Sequence, residues 1–275
     1  MGSQLYLLFT LAFYAVGALH VVAHAFTRRR LLTTWTVTAT LAGFAIHTAS
    51  LAQRWTEAGH FPAVGLRDGT SLMAWTIVLV FLAAYLQTRV EALGLAVYPV
   101  AFGLVLVANF APAPEIGGAI LKSMFLPVHT TLAFLGYASL FLAFTMGLAY
   151  LVQERELKSK SPQRFYYFGP NLERCDTIGG ASVAVGFGFL TLAIATGVLW
   201  SHGSKGRYWS WDAKELSAVI AWFIYVVLLA ARLRDGWGGR RAALLGILGF
   251  TAVVFTFLWM TIFTAGAARA SVGVP

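Results

Sequence analysis

Residues 200–215 read Trp200-Ser201-His202-Gly203-Ser204-Lys205-Gly206-Arg207-Tyr208-Trp209-Ser210-Trp211-Asp212-Ala213-Lys214-Glu215. Tyr208, Trp209 and Trp211 fall within four positions, flanked by Arg207, Asp212 and Lys214. The result is a dense amphipathic patch. By composition alone it also suits the belt of Trp and Tyr that membrane proteins place at the headgroups. The other groups able to bind a metal or move a proton are the six histidines, His20, His24, His47, His60, His129 and His202. His47 and His129 sit within apolar runs, where an ionisable side chain is uncommon and usually faces a bundle interior or a cavity. His20 and His24 are one helical turn apart on one face. With Cys175 as the single cysteine, the chain can form no internal disulfide and cannot perform dithiol chemistry alone. No nucleophile or metal-hydrolase motif is present, so no catalytic residue is assigned.

Positioning these groups falls to membrane spans. Hydrophobic residues are 59% of the 275 and charged residues 11%, whereas a soluble domain carries roughly a quarter charged residues. Apolar runs of spanning length lie near 4–26, 31–53, 70–87, 94–111, 123–153, 180–201, 215–231 and 242–265. The third, fourth and seventh are short and must cross with little tilt. The loops 27–30, 88–93, 154–179 and 232–241 hold thirteen of the twenty Lys and Arg residues. By the positive-inside rule that side is cytoplasmic and both termini are extracytoplasmic. The expected fold is all-α: a polytopic transmembrane bundle of about eight spans, residues 1–275 forming one integral membrane domain with no soluble domain. A multi-pass protein of the bacterial cytoplasmic (inner) membrane is expected. The net charge of +9 lies in short loops, which suits topology and anionic lipid and not nucleic acid. His129 then sits near the outer end of the fifth span, level with the aromatic segment. His47, seven residues before Arg54, lies about 10 Å below the outer surface. The stretch 154–179 reads as an amphipathic loop at the headgroups.

The order of residues says more than their composition. Gly206-x-Tyr208-Trp209-Ser210-Trp211-Asp212-x-Lys214-Glu215 resembles the tryptophan-rich WWD signature of the cytochrome c assembly family, whose members include haem-handling synthase subunits, a haem exporter and HemX-like proteins. Leu126-Pro127-Val128-His129 followed by Gly136-Tyr137-Ala138-Ser139 resembles the family's helix that opens with a histidine. His47, with Arg54-Trp55 and Gly59-His60-x-Pro62, is similar to its earlier histidine-containing segment. Arg232-Leu233 and Gly236-Trp237-x-Gly239-Arg240-Arg241 also fit, so that about four-fifths of the chain is covered.

The resemblance implies haem b as a transient or substoichiometric cofactor. Haem is a flat apolar disc with two carboxylates and an iron that takes axial ligands. Tyr208, Trp209 and Trp211 can face its ring, with Asp212 in the same signature. Lys205, Arg207 and Lys214 can meet its propionates. His129 is the first candidate axial ligand, His202 or His60 the second, and His47 a ligand within the membrane. His20 and His24 suit either a pick-up point or ordinary side chains reaching the interface. The tail departs from the synthase pattern: residues 263–271 contain no histidine, so the second axial position is vacant or filled by His202, His60 or a partner. The leading expectation is presentation of haem at the extracytoplasmic face to apocytochrome c, with a membrane-anchored assembly partner. If the chain is enzymatic, it is a subunit of a haem lyase or cytochrome c synthase system. The alternative is a HemX-like membrane regulator of haem biosynthesis that binds haem without ligating it to protein.

Overall fold

The computed structural model describes residues 2–25, 34–112, 125–159, 165 and 169–272. They form eight helices: α1 (Gly2–Ala25), α2 (Thr34–Ala58), α3 (Gly65–Thr88), α4 (Gly94–Phe110), α5 (Phe125–Lys158), α6 (Leu172–Lys205), α7 (Ala213–Asp235) and α8 (Gly239–Val272). A 3-10 turn, Glu91–Leu93, leads into α4, and no strand occurs among the described residues. This all-helical outcome follows from the solvent: lipid offers no partner to a backbone amide, and a helix satisfies its own.

Six of the eight expected spans have a helix long and apolar enough to cross a membrane among the described residues. These spans lie in α1, α3, α4, α5, α6 and α7. The fourth includes the 3-10 turn, running from Glu91 to Phe110. The second expected span is a helix, but α2 dilutes its apolar content with Thr34, Thr36, Thr38, Thr40, His47, Thr48 and Ser50. Thr36, Thr40, Gly43, His47 and Ser50 form its buried stripe. The side chains of α8 are described only as far as Phe255, which leaves too short a run for the same test. The third span is longer than expected. The helix begins at Gly65 and takes in Asp68, because Arg54 of α2 pairs with that carboxylate at 3.0 Å and only 2% of Asp68 remains exposed. The loop read at 154–179 is also corrected. α5 continues to Lys158 and α6 starts at Leu172, capped by the Asn171 side chain, which accepts from the Arg174 N–H at 2.8 Å.

α5 and α6 lie side by side. Their approach rests on small residues: a Cβ on Gly186 would fall 2.7 Å from Leu140, and one on Gly136 would fall 3.2 Å from the Leu190 nitrogen. Backbones without side chains between them gain van der Waals contact, which is what holds helices together in lipid. Each of these two helices is 34 residues long, about 51 Å at 1.5 Å per residue. That exceeds a hydrocarbon core of about 30 Å, so the last turn of α6 can carry polar residues beyond the apolar zone. α7 and α8 pack on the same pair, while α1–α4 form the other side of the bundle and join α5 through α3.

Candidate functional site

The aromatic segment is the connection between α6 and α7, held at both ends by backbone chemistry. α6 stops at Gly206, whose φ of 70° is open to a residue without Cβ, and whose N–H donates to the His202 carbonyl at 2.9 Å. α7 starts with Asp212, whose carboxylate accepts from the Glu215 N–H at 2.9 Å. Glu215 answers in kind, its Oε2 accepting from the N–H groups of Ser210 at 2.6 Å and Trp211 at 2.8 Å. This reciprocal cap satisfies donors that the start of a helix leaves open. It also holds Trp211 at φ 56°, a left-handed conformation that is rare for a bulky residue.

The pinned loop displays its rings. Trp211 is 77% exposed and Tyr208 56%. Trp209 is half-buried and meets Trp211 edge to face, with ring centroids 5.9 Å apart. Beneath that display lie two buried donors, the Trp209 indole N–H and the Ser210 hydroxyl, with no hydrogen-bond partner among the described residues. Buried polar atoms are nearly always paired, so these two are suited to an acceptor that a ligand brings. Arg207 is exposed on the same loop.

His129 stands in the first turns of α5, just after Pro127, a position where proline costs the helix no hydrogen bond. Its Nδ1–H donates to the Ala193 carbonyl of α6 at 2.8 Å, and its ring lies nearly parallel to Trp200, 5.8 Å away at 11°. With the proton on Nδ1, the lone pair is on Nε2. His202 stacks on Tyr208 at 4.0 Å and 13°. The two histidines are not brought together. His202 is two residues beyond Trp200, about 200° around the helix, so it leaves α6 on the face away from the one that seats His129.

The remaining candidates divide. His47 is fully buried and spans three helices, its Nδ1 3.4 Å from the Tyr14 hydroxyl and its Nε2 3.0 Å from the Ser71 hydroxyl. Both ring nitrogens are thus engaged by α1 and α3. The Nδ1–H of His60 donates to the Phe61 carbonyl at 3.0 Å. His20 is half-buried in α1, and the side chains of His24, Lys205 and Lys214 lie outside the described residues. Asp212, read as a cofactor contact, serves as the cap of α7. The sequence reading missed Glu215 as the anchor of the loop, although Asp212-x-x-Glu215 has the spacing of a reciprocal cap. It also missed Ala193, Gly197 and Trp200 as the seat of His129. Their spacing of four and then three residues marks a single helix face.

Among the described residues no three His, Cys, Asp or Glu side chains cluster as a ligand set for a metal ion. A ring that brings its own metal ligands needs no such cluster, only one or two axial donors. Residues 63–267 match the family model described as "Cytochrome C assembly protein". Two similar relatives bear the name "Cytochrome c biogenesis protein CcsA". The one from Gloeobacter violaceus is 29% identical, with 93% of this chain and 91% of that protein covered. The one from Synechococcus sp. (strain CC9902) is 29% identical over 80% of this chain and 81% of that protein.

Proposed function

The chain belongs to the cytochrome c assembly family, and from that premise we propose that it holds haem b at the end of the bundle carrying the aromatic loop and presents it there to apocytochrome c. The observation that carries the reading is the pair of buried donors without a partner among the described residues, Trp209 N–H and Ser210 O–H, under an exposed and rigidly capped aromatic surface. The residues fit the group. Tyr208, Trp209 and Trp211 offer ring faces and edges to a porphyrin. Arg207, with the two buried donors, offers partners to propionates. His129, with its proton held on Nδ1 by Ala193, offers Nε2 to iron.

When bound, haem supplies the vinyl groups that react with cysteine thiols, and the thiols belong to the apocytochrome. The work of this chain is therefore to bind, orient and shield. The proposed topology has eight spans, with the α6–α7 loop and both termini outside and residues 154–179 and 232–241 inside. A membrane-anchored partner meets the loop and contributes what this chain lacks. That need is sharpest at the iron. His202 leaves α6 on the face away from His129, and residues 263–271 contain no histidine; in this proposal His129 is the one axial ligand from this chain and the partner supplies the other. The missing tail histidine also favours a second reading, a HemX-like regulator that binds haem without ligation.

The test uses the protein purified in detergent beside its Trp209→Ala, Trp211→Ala double variant. Wild type carries a Soret band. Each substitution lowers haem retention by about 1–3 kcal/mol, on the scale of aromatic stacking against flat bases. Equal haem in the double variant leaves the loop as an interfacial belt and overturns the proposal. Mature c-type cytochrome in cells then separates the two readings: loss of the chain lowers it if the protein presents haem, and leaves it unchanged if the protein is a regulator.

A further inference from the structure

We infer that α6 is the positioning element for His129: the Ala193 carbonyl and the bare surface of Gly197 fix the tautomer and angle of the ring, and so set how strongly it donates to haem iron. The inference rests on the proposed role of His129 as axial ligand. Its geometry stands independently. The Ala193 oxygen accepts the Nδ1–H at 2.8 Å, and Ala193 is 2% exposed, so water does not compete for that acceptor. One turn on, a Cβ added to Gly197 would fall 2.9 Å from His129 Cε1 and 3.0 Å from its Nδ1. The ring therefore occupies the space that any side chain at 197 would take. Trp200, three residues further, lies parallel to the ring. Acceptor, gap and flat surface thus follow one another along a single face of α6.

The chemistry gives the arrangement a direction. A ligating imidazole whose other N–H donates to a good acceptor is more basic, and it favours ferric over ferrous iron. Ala193 shares its carbonyl, since the Thr196 hydroxyl also donates to it at 3.1 Å while bonding Leu192 at 2.8 Å. A second donor makes the carbonyl a poorer acceptor for His129. Thr196 and Gly197 therefore pull in opposite senses: the hydroxyl weakens the histidine's bond, and the absent Cβ permits it.

The experiment measures the midpoint potential and retention of haem in the full-length protein. Gly197→Ala raises the potential and lowers retention about ten- to a hundred-fold, the usual effect of losing an outer-shell partner. Thr196→Val lowers the potential, and Thr196→Ser restores the wild-type value. Gly188→Ala, whose Cβ meets nothing within 4 Å, shifts neither quantity and controls for a general change in α6. The haem-free protein supplies a second readout, the 15N shifts of labelled histidine, with the His129 signals identified by their loss in His129→Ala. Expected are an Nδ1–H tautomer in wild type and displaced His129 signals in Gly197→Ala. An Nε2–H tautomer, or unmoved signals together with an unmoved potential in Gly197→Ala, overturns the inference. Haem fully retained by His129→Ala instead overturns the role of His129 as ligand, whatever the nitrogen shifts show.

Discussion

His202 and Tyr208 stack at 4.0 Å, a contact that covers one face of the imidazole. Its face of α6 is turned about 200° from Trp200, so removing it leaves the His129 environment intact. His202→Ala is therefore expected to keep the spin state of bound haem, read from the visible and EPR spectra, with wild type already high-spin. A low-spin wild type that becomes high-spin in His202→Ala would make His202 the second ligand. At this scale the aromatic loop was legible because the order of its residues is specific, and His129 because a histidine inside an apolar run needs a reason. The partners of His129 were not legible. A backbone carbonyl such as that of Ala193 has no signature in sequence, and Gly197 matters for the atom it lacks. His47 was legible as unusual, but not as hydrogen-bonded to Tyr14 and Ser71, because those partners lie 33 and 24 residues away.

Among the elements, the start of α7 decides whether the loop is a surface or a tether. Asp212 accepts from Glu215, and Glu215 accepts from Ser210 and Trp211, so the two carboxylates hold three backbone donors between them. Glu215→Ala releases the loop without removing any of its rings. It is expected to cost about 1 kcal/mol of stability, the usual worth of a cap, and to reduce haem retention without altering the spin state. Thermal unfolding followed by circular dichroism, with the Soret absorbance recorded beside it, checks both; unchanged haem retention would mean that the cap does not organise the site. Helix existence was legible throughout, because runs of apolar residues in lipid have few alternatives to a helix. Helix ends were less so. α3 gained its polar first turn because Asp68 finds Arg54 across the helix pair, a contact that hydropathy along one strand of sequence does not register. α2 reads as a weaker span because polar residues, Thr36, Thr40, His47 and Ser50, make up most of its buried stripe, and Thr34, Thr38 and Thr48 lie on its exposed side.

For the whole molecule, the distribution of charge and the position of the site must agree. Reporter fusions or cysteine labelling are expected to place residues 154–179 and 232–241 in the cytoplasm and residues 202–214 outside. A cytoplasmic Trp209 would be incompatible with presenting haem to a cytochrome that matures outside. The bundle also concentrates its recognisable chemistry at one helix junction. α5 brings His129 to α6, and α6 runs on to the loop that α7 caps. The central claim is that this junction holds haem through His129, and it is tested most directly by haem content per protein after purification. Wild type and His129→Ala, prepared in parallel and matched for protein and for helical content, are compared by Soret absorbance and pyridine haemochrome. A b-type signal in wild type that falls severalfold in His129→Ala is the expected result; equal haem in the two proteins would contradict it.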